Sequence, residues 1–349
     1  MKKVLLGMSG GVDSSVSAIL LKEQGYDVIG ITLELFGGTC CNTDAIVGAK
    51  QICNSIGIPH ITYNLKEEFQ CKVINNFIDE YSNQRTPNPC IECNKYMKFG
   101  AMYEKAKELG CDYIATGHYA KMEYSDEYGK YVLRKAKNLS KDQSYVLYNM
   151  PKQLLGKVLF PLGDFESKED VRKIAKEHNL SVASKPDSED ICFIPDGNYK
   201  KFLEQYSSIV PKEGNIVNRK GEILGIHTGL YNYTIGQRKG LGISYKVPLF
   251  VIGFNKERNE VIVGEQQELY RKEMKVNEVN LLLMDKIERT LDVTVKIRYA
   301  SKPAEAIINQ TEAGNIQVIF KEPQRGITPG QSAVFYIGDV VVGGGKIQD

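Results

Sequence analysis

Two groups of residues in this 349-residue chain have side-chain types and spacings suited to chemistry. The first is Gly7-Met8-Ser9-Gly10-Gly11-Val12-Asp13-Ser14. An apolar strand precedes it and helical periodicity follows. Backbone N–H groups and a helix N-terminus therefore converge where an anion could sit, and the glycines let the main chain approach it. A lone Gly-Gly pair would read as an ordinary turn, but this run at the first strand-to-helix junction points to an anion site. No lysine follows as in G-x-x-x-x-G-K-[ST], which argues against transfer of a terminal phosphoryl group. The second group is Thr86-Pro87-Asn88-Pro89-Cys90-Ile91-Glu92-Cys93-Asn94-Lys95. Its prolines fix an extended loop and a helix follows, so Cys93 is expected near a helix N-terminus with Lys95 close by, conditions that favour a thiolate. Cys90 and Cys93 form C-x-x-C, and Cys192 is the one cysteine beyond Cys111. Thiol chemistry between segments so far apart requires a fold that brings them together.

The elements that must position these groups alternate. Strands are expected at 4–8, 28–36, 60–65 and 113–116, and helices at 13–23, 44–55, 67–82 and 95–109. The pattern calls for a parallel sheet with helices on both faces. Gly25 is placed to cap the first helix. Beyond residue 120 a hairpin is expected around 126–129, then helices at 145–158 and 167–178, with Ser167 and Asp170 at capping-box spacing. From about 210 the chain reads as short β segments. The last of these, 293–299, 305–309, 316–320 and 332–337, suggest a small barrel or sandwich. The fold class is α/β followed by two small mainly-β domains, with boundaries at 1–206, 207–270 and 271–349.

Composition narrows the class without choosing a reaction. Hydrophobic residues make up 42% and charged residues 25%, an ordinary globular balance, and no apolar run is long enough for a membrane span, so a cytoplasmic location is expected. The net charge of +2 leaves any polyanion to be bound by local patches. One candidate is 134–141, which carries Arg134, Lys135, Lys137 and Lys141 and no acid. All eight cysteines lie in the first 192 residues, the clustering of metal or redox work rather than of a secreted disulfide scaffold. Cys53, Cys71 and Cys111 fall in or beside apolar periodic segments and read as structural.

The glycine loop resembles the S-G-G-x-D-S pyrophosphate loop of N-type ATP pyrophosphatases. Over its whole length the chain is similar to the tRNA-specific 2-thiouridylases of that superfamily. The landmarks are the loop itself, Thr86-Pro87-Asn88-Pro89, Cys93-Asn94, Gly117-His118-Tyr119, Lys141-Asp142-Gln143-Ser144, Ile191-Cys192-Phe193-Ile194, Gly236-Gln237-Arg238 and Pro329-Gly330-Gln331. The resemblance implies ATP and Mg2+ at residues 7–14, Leu33 and Gly117. It implies tRNA at His118, Lys141, Asp142, Gln143, Arg298, Tyr299 and Gln331. It further implies a persulfide on Cys192, Cys93 as the nucleophile that releases its sulfur, and a disulfide between them as a product. A cysteine desulfurase or relay protein would supply the sulfur, and tRNAs for Lys, Glu and Gln would receive it.

The implied reaction adenylates the C2 oxygen of the wobble uridine, releases pyrophosphate, and displaces AMP with sulfur. The chain departs from the family pattern at Cys90, where many members have Asp. Cys90, Cys93 and Cys192 together could also hold a [4Fe–4S] cluster with one open iron. A dithiol or persulfide relay ranks first, the cluster second and zinc third. Two rival readings are another adenylating ATP pyrophosphatase, which would need no thiol relay, and a non-catalytic tRNA-binding or iron–sulfur module, which would need no pyrophosphate loop.

Overall fold

The computed structural model describes residues 1–36, 43–185 and 191–348. Cys40, Cys41 and the 187–190 segment that precedes Ile191 lie outside them. The chain divides into two compact units, one of residues 1–74, 89–197 and 339–342, the other of residues 75–88, 198–338 and 343–349.

The first unit is built on a five-stranded parallel sheet. Its strands are β1 (Lys3–Gly7), β2 (Asp27–Glu34), β3 (His60–Asn64), β4 (Tyr113–Ala115) and, beyond a hairpin of β5 (Ala120–Ser125) and β6 (Lys130–Lys135), β7 (Val158–Leu159). The order is β3-β2-β1-β4-β7. Val4, Leu5 and Leu6 are fully buried, as a central strand covered on both faces requires. Helix α1 (Val12–Glu23) buries most of its length, and its small residues Ser14, Ser15, Ser17 and Ala18 permit a close approach. The hydroxyls of Ser15 and Ser17 are satisfied by the carbonyls of Gly11 and Asp13, each at 2.8 Å. Helix α2 (Thr43–Ile56) puts Cys53 in the core, where burial pushes its thiol up to about 11. Cys53 is thus the structural residue expected, whereas Cys71 is exposed.

Two expectations are corrected. The helix at 145–158 is replaced by a single turn, Ser144–Leu147, a tight turn, Lys152–Leu154, and the fifth strand β7. Pro151 cannot donate within a helix, and Gly156 turns with φ +81°, where a Cβ would stand 2.5 Å from the Tyr131 ring. The helix expected from 95 begins earlier, at Pro89–Glu92, and widens to π turns over Cys93–Ala101. A proline suits a first helical turn because the missing N–H is not needed there. Similar wide turns occur at Gln70–Ile74, and the two stretches pack against each other. Helix Lys168–Glu177 has the expected cap, since Ser167 Oγ accepts the Asp170 N–H at 3.1 Å.

In the second unit, β8 (Gly214–Asn218), β9 (Ile223–His227), β10 (Phe250–Asn255) and β11 (Glu260–Gly264) form a sheet of order β10-β11-β8-β9 around Ile216, Val251, Val261 and Val263. The barrel strands are β12 (Tyr270–Leu281), β13 (Leu291–Lys296), β14 (Ala304–Gln310), β15 (Ile316–Arg325), β16 (Ser332–Ile337) and β17 (Val340–Ile347), the last belonging to this unit from Gly343 onward. The long β12 pairs with both β15 and β17 and closes the ring. Helices Asn75–Ser82 and Tyr199–Tyr206 join through aromatic contacts, Tyr81 stacking on Tyr199 at 4.8 Å.

Candidate active site

In the strand order β3-β2-β1-β4-β7, chain direction across the sheet reverses between β1 and β4, and ligands of open α/β sheets bind beyond the carboxyl ends of the strands at such a point. The loop after β1 is the glycine loop. Gly10 has φ +72°, and a Cβ there would stand 3.1 Å from the Ala45 carbonyl. Gly11 precedes the first helical residue, and no side chain caps the helix N-terminus, so its donors face the loop's mouth. Ser14 Oγ donates to the Gly11 carbonyl at 3.1 Å and accepts the Ser9 N–H at 3.3 Å, which holds the turn shut. Met8 is buried, with its N–H on the Ile31 carbonyl at 2.7 Å.

The loop after β4 closes the other side. A Cβ on Gly117 would lie 2.9 Å from both Asp13 C and Ser14 N, so only glycine lets this loop press on the start of α1. Leu33 is half-buried near the end of β2, in register with Tyr63. The Asp13 carboxylate points into the same place, where it accepts from Tyr119 Oη at 2.8 Å and from Lys168 Nζ at 2.5 and 2.6 Å. Lys168 is 8% exposed at the side chain, against 32% for Asp13. Sequence reasoning missed Lys168. The Ser167 cap fixed where its helix starts, but nothing local indicates that its first residue meets an aspartate 155 residues earlier.

The residues matched to tRNA contacts mostly brace this site. Gln143 and Tyr119 exchange two hydrogen bonds, Tyr119 N to Gln143 Oε1 at 3.0 Å and Gln143 N to Tyr119 O at 2.8 Å. Asp142 is buried and accepts from Ala136 N, Ser144 N and Ser144 Oγ. His118 is buried between Phe99 and Phe160. The Lys98 ammonium donates to its Nε2 at 3.4 Å, so Nδ1–H donates to Thr116 Oγ1 at 2.7 Å and the ring is neutral. Burial first, and Lys98 second, hold its pKa well below the usual value. Lys141 is half-buried. Two of the four cations in the run 134–141 meet acids. Arg134 pairs with Glu123 and Asp339, each at 2.7 Å, and Lys137 with Glu166 at 2.8 Å.

In the second unit, Arg298 Nη2 donates to the carbonyls of Ile235 (3.1 Å) and Gly326 (2.9 Å) and to Thr328 Oγ1. Tyr299 is exposed beside Lys296. Gln331 Nε2 donates to the Thr86 carbonyl at 2.8 Å, and the Thr86 N–H donates to the Pro329 carbonyl at 2.8 Å. The 329–331 turn therefore fixes the start of the proline segment that leads towards Cys90.

Cys90 is exposed in the first turn of its helix, and Cys93 is buried one turn further in, deeper than the sequence suggested. Asn94 anchors this turn through the Val146 carbonyl at 2.9 Å. Cys192 is half-buried, and the next residue, Phe193, packs edge-on against Phe69 at 5.7 Å and Phe36 at 6.3 Å. Phe69 ends helix Lys66–Phe69, which packs against Cys93–Ala101. The two cysteine segments, far apart in sequence, thus meet on one helix. Among the described residues no disulfide is present, and no three His, Cys, Asp or Glu side chains converge as a metal site.

A parallel sheet with an anion-binding glycine loop at its switch point defines a nucleotide-binding α/β unit of the ATP pyrophosphatase type. The family model described as tRNA methyl transferase HUP domain matches residues 2–196, a tRNA methyl transferase PRC-barrel domain matches 200–265, and an aminomethyltransferase beta-barrel domain matches 271–347. The chain is 49% identical over 355 residues to tRNA-specific 2-thiouridylase MnmA of Clostridioides difficile (strain 630), covering 99% of this chain and 98% of that one. It is 48% identical over 357 residues to the same-named protein of Acetivibrio thermocellus, covering 99% of each. A 4-thiouridine synthetase crystallised with RNA and ATP aligns with 58% of this chain and 50% of its own at 19% identity and TM-score 0.38. The chain belongs to the tRNA-specific 2-thiouridylase family.

Proposed function

We propose that this protein is an ATP-dependent tRNA-uridine 2-sulfurtransferase acting on the wobble position. The observation that carries the nucleotide half is the Gly10–Ser14 loop at the sheet's switch point, closed by Gly117 and carrying Asp13. Donors at an uncapped helix N-terminus suit the pyrophosphate of ATP, and Asp13 is the carboxylate that would hold its Mg2+, an ion commonly bound by one or two carboxylates plus phosphate oxygens. Uridine O2 attacks the α phosphate, pyrophosphate leaves, and C2 then carries AMP as a good leaving group.

The meeting of the Cys93 and Cys192 segments on helix Lys66–Phe69 supports the sulfur half. In one form the terminal sulfur of a Cys192 persulfide attacks C2 and AMP departs, after which the Cys93 thiolate attacks Cys192 Sγ and frees the thiouridine. In the other, Cys93 attacks first and releases hydrosulfide, which displaces AMP. Both leave a Cys93–Cys192 disulfide that an external thiol must reduce, and both need a persulfide donor such as a cysteine desulfurase or relay protein. We assign the chemistry to residues 1–206 and tRNA binding in part to 207–270 and 271–349, with tRNAs for Lys, Glu and Gln as substrates.

The test incubates the protein with unmodified tRNA, ATP, Mg2+ and a persulfide source, and measures 2-thiouridine by nucleoside mass spectrometry alongside pyrophosphate release. Cys93→Ser and Cys192→Ser are expected to abolish thiolation while tRNA-dependent pyrophosphate release persists. Thiolation that survives Cys192→Ser would refute the persulfide relay, and pyrophosphate release driven by a small carboxylate instead of tRNA would favour an amidating synthetase.

A further inference from the structure

Asn94 follows Cys93 directly and lies in the wide turns Cys93–Ala101, 2% exposed. Its amide is used on one side only. Nδ2 donates to the Val146 carbonyl at 2.9 Å, and Oδ1 is buried with no hydrogen-bond partner among the described residues. A buried acceptor left unpaired costs at least as much stability as the bond on the other side of the amide returns. Asn94 is therefore not explained by stability. What it supplies is a fixed distance between the Cys93 turn and Val146.

Val146 belongs to Ser144–Leu147, a turn in which every residue is buried and which packs on both Pro89–Glu92 and Cys93–Ala101. Its backbone is fixed from the other end. Val146 N donates to the Gln143 carbonyl at 3.1 Å, while Asp142 accepts from Ser144 N at 3.2 Å and from Ser144 Oγ at 2.8 Å. Gln143 is held to Tyr119 by their reciprocal pair of hydrogen bonds, and Tyr119 Oη donates to Asp13 of the glycine loop at 2.8 Å. A continuous hydrogen-bonded path thus runs from Asp13 through Tyr119, Gln143 and Val146 to Asn94, wholly within the first unit. None of its residues is exposed, so water competes little with its bonds.

We propose that Asn94 is a positioning residue that registers the Cys93 thiol on the nucleotide site, so that sulfur reaches C2 of the adenylated uridine before water does. The inference rests on the sulfurtransferase reading above and adds what couples its two halves. Uridine adenylated at O2 has two fates. Sulfur takes C2 and AMP leaves, which yields thiouridine, or water takes C2 and AMP leaves, which returns uridine. Either way one ATP has become AMP and pyrophosphate. The fate depends on where the sulfur stands when the adenylate forms, and a misplacement of about 1 Å costs about 100-fold in rate. A Cys93 turn braced to Asp13 keeps that placement, because the same hydrogen bonds locate both the nucleotide loop and the thiol.

The experiment counts pyrophosphate released and 2-thiouridine formed in one reaction, with unmodified tRNA, ATP, Mg2+ and a persulfide source, for wild type and Asn94→Leu. Leucine keeps the volume of the side chain and removes its donor to Val146. The ratio of pyrophosphate to thiouridine is expected to rise about tenfold in Asn94→Leu, as a displacement of about 0.5 Å would give. The melting temperature should stay within about 4 °C of wild type, because the lost bond and the relieved Oδ1 offset each other. A merely destabilised protein loses both products together and leaves the ratio unchanged. Should Asn94→Leu not fold, Asn94→Ser removes the reach to Val146 without adding apolar bulk and is read in the same way. A wild-type ratio in the variant overturns this inference alone. A wild-type protein that makes no thiouridine overturns it together with the proposed function.

Discussion

Gly117→Ala tests whether the contact between two loops builds the nucleotide site. The new Cβ would stand 2.9 Å from Asp13 C and Ser14 N and 3.1 Å from Asp13 Cβ, whereas ordinary contact begins near 3.4 Å. Gly117 does not occupy the left-handed region, so alanine meets no backbone strain and space alone decides the outcome. The obstructing atoms are backbone at the start of α1 and cannot rotate away, so the loops must part by about 0.5 Å. Overpacking of this kind costs about 1–3 kcal/mol. If 1–2 kcal/mol of that falls on the bound state, ATP affinity drops about 5–30-fold. The misplaced helix N-terminus should lower the rate of pyrophosphate release about tenfold, since a 1 Å error costs about 100-fold. Calorimetric titration with ATP and a pyrophosphate-release assay read both effects. Gly48→Ala is the control, because a Cβ there meets nothing within 4 Å in helix α2, and it should stabilise by about 0.5–1 kcal/mol. Wild-type ATP affinity and melting temperature in Gly117→Ala would refute the reasoning.

Two further outcomes follow from the same neighbourhood. His118 is buried neutral with a depressed pKa, so on acidification the unfolded chain takes up its proton while the folded one does not. The stability it contributes is complete above the unfolded pKa of about 6.5 and is lost as pH falls below it, by up to about 1.4 kcal/mol per pH unit. Urea titrations at pH 7.5 and 5.5 should show a smaller pH-dependent loss in His118→Asn than in wild type, and an equal loss would contradict this account. Lys168→Met strands the Asp13 carboxylate with Tyr119. Breaking a fully buried pair costs about 3–5 kcal/mol, and with Asp13 a third exposed we expect about 1–3 kcal/mol. In a double-mutant cycle with Asp13→Asn the losses should fall short of additive by at least about 0.5 kcal/mol, and strict additivity would show that the pair is not coupled.

The sequence alone determined what depends on local order. An apolar strand, two glycines and a helix start specify the loop at residues 9–14, because its geometry is set by a few neighbouring backbone angles. The Ser167 cap, the 126–129 hairpin and the alternating elements of the parallel sheet were legible for the same reason. The wide turns at Cys93–Ala101 and the strand β7 were not, since each depends on what packs against it, Gln70–Ile74 in the first case and β4 in the second. Only the tertiary structure could pair Lys168 with Asp13, turn Gln143 into a brace for Tyr119, and neutralise Arg134 and Lys137 with distant acids. A run of basic residues reports its own charge, but whether that charge faces a ligand depends on which carboxylates the fold delivers to it.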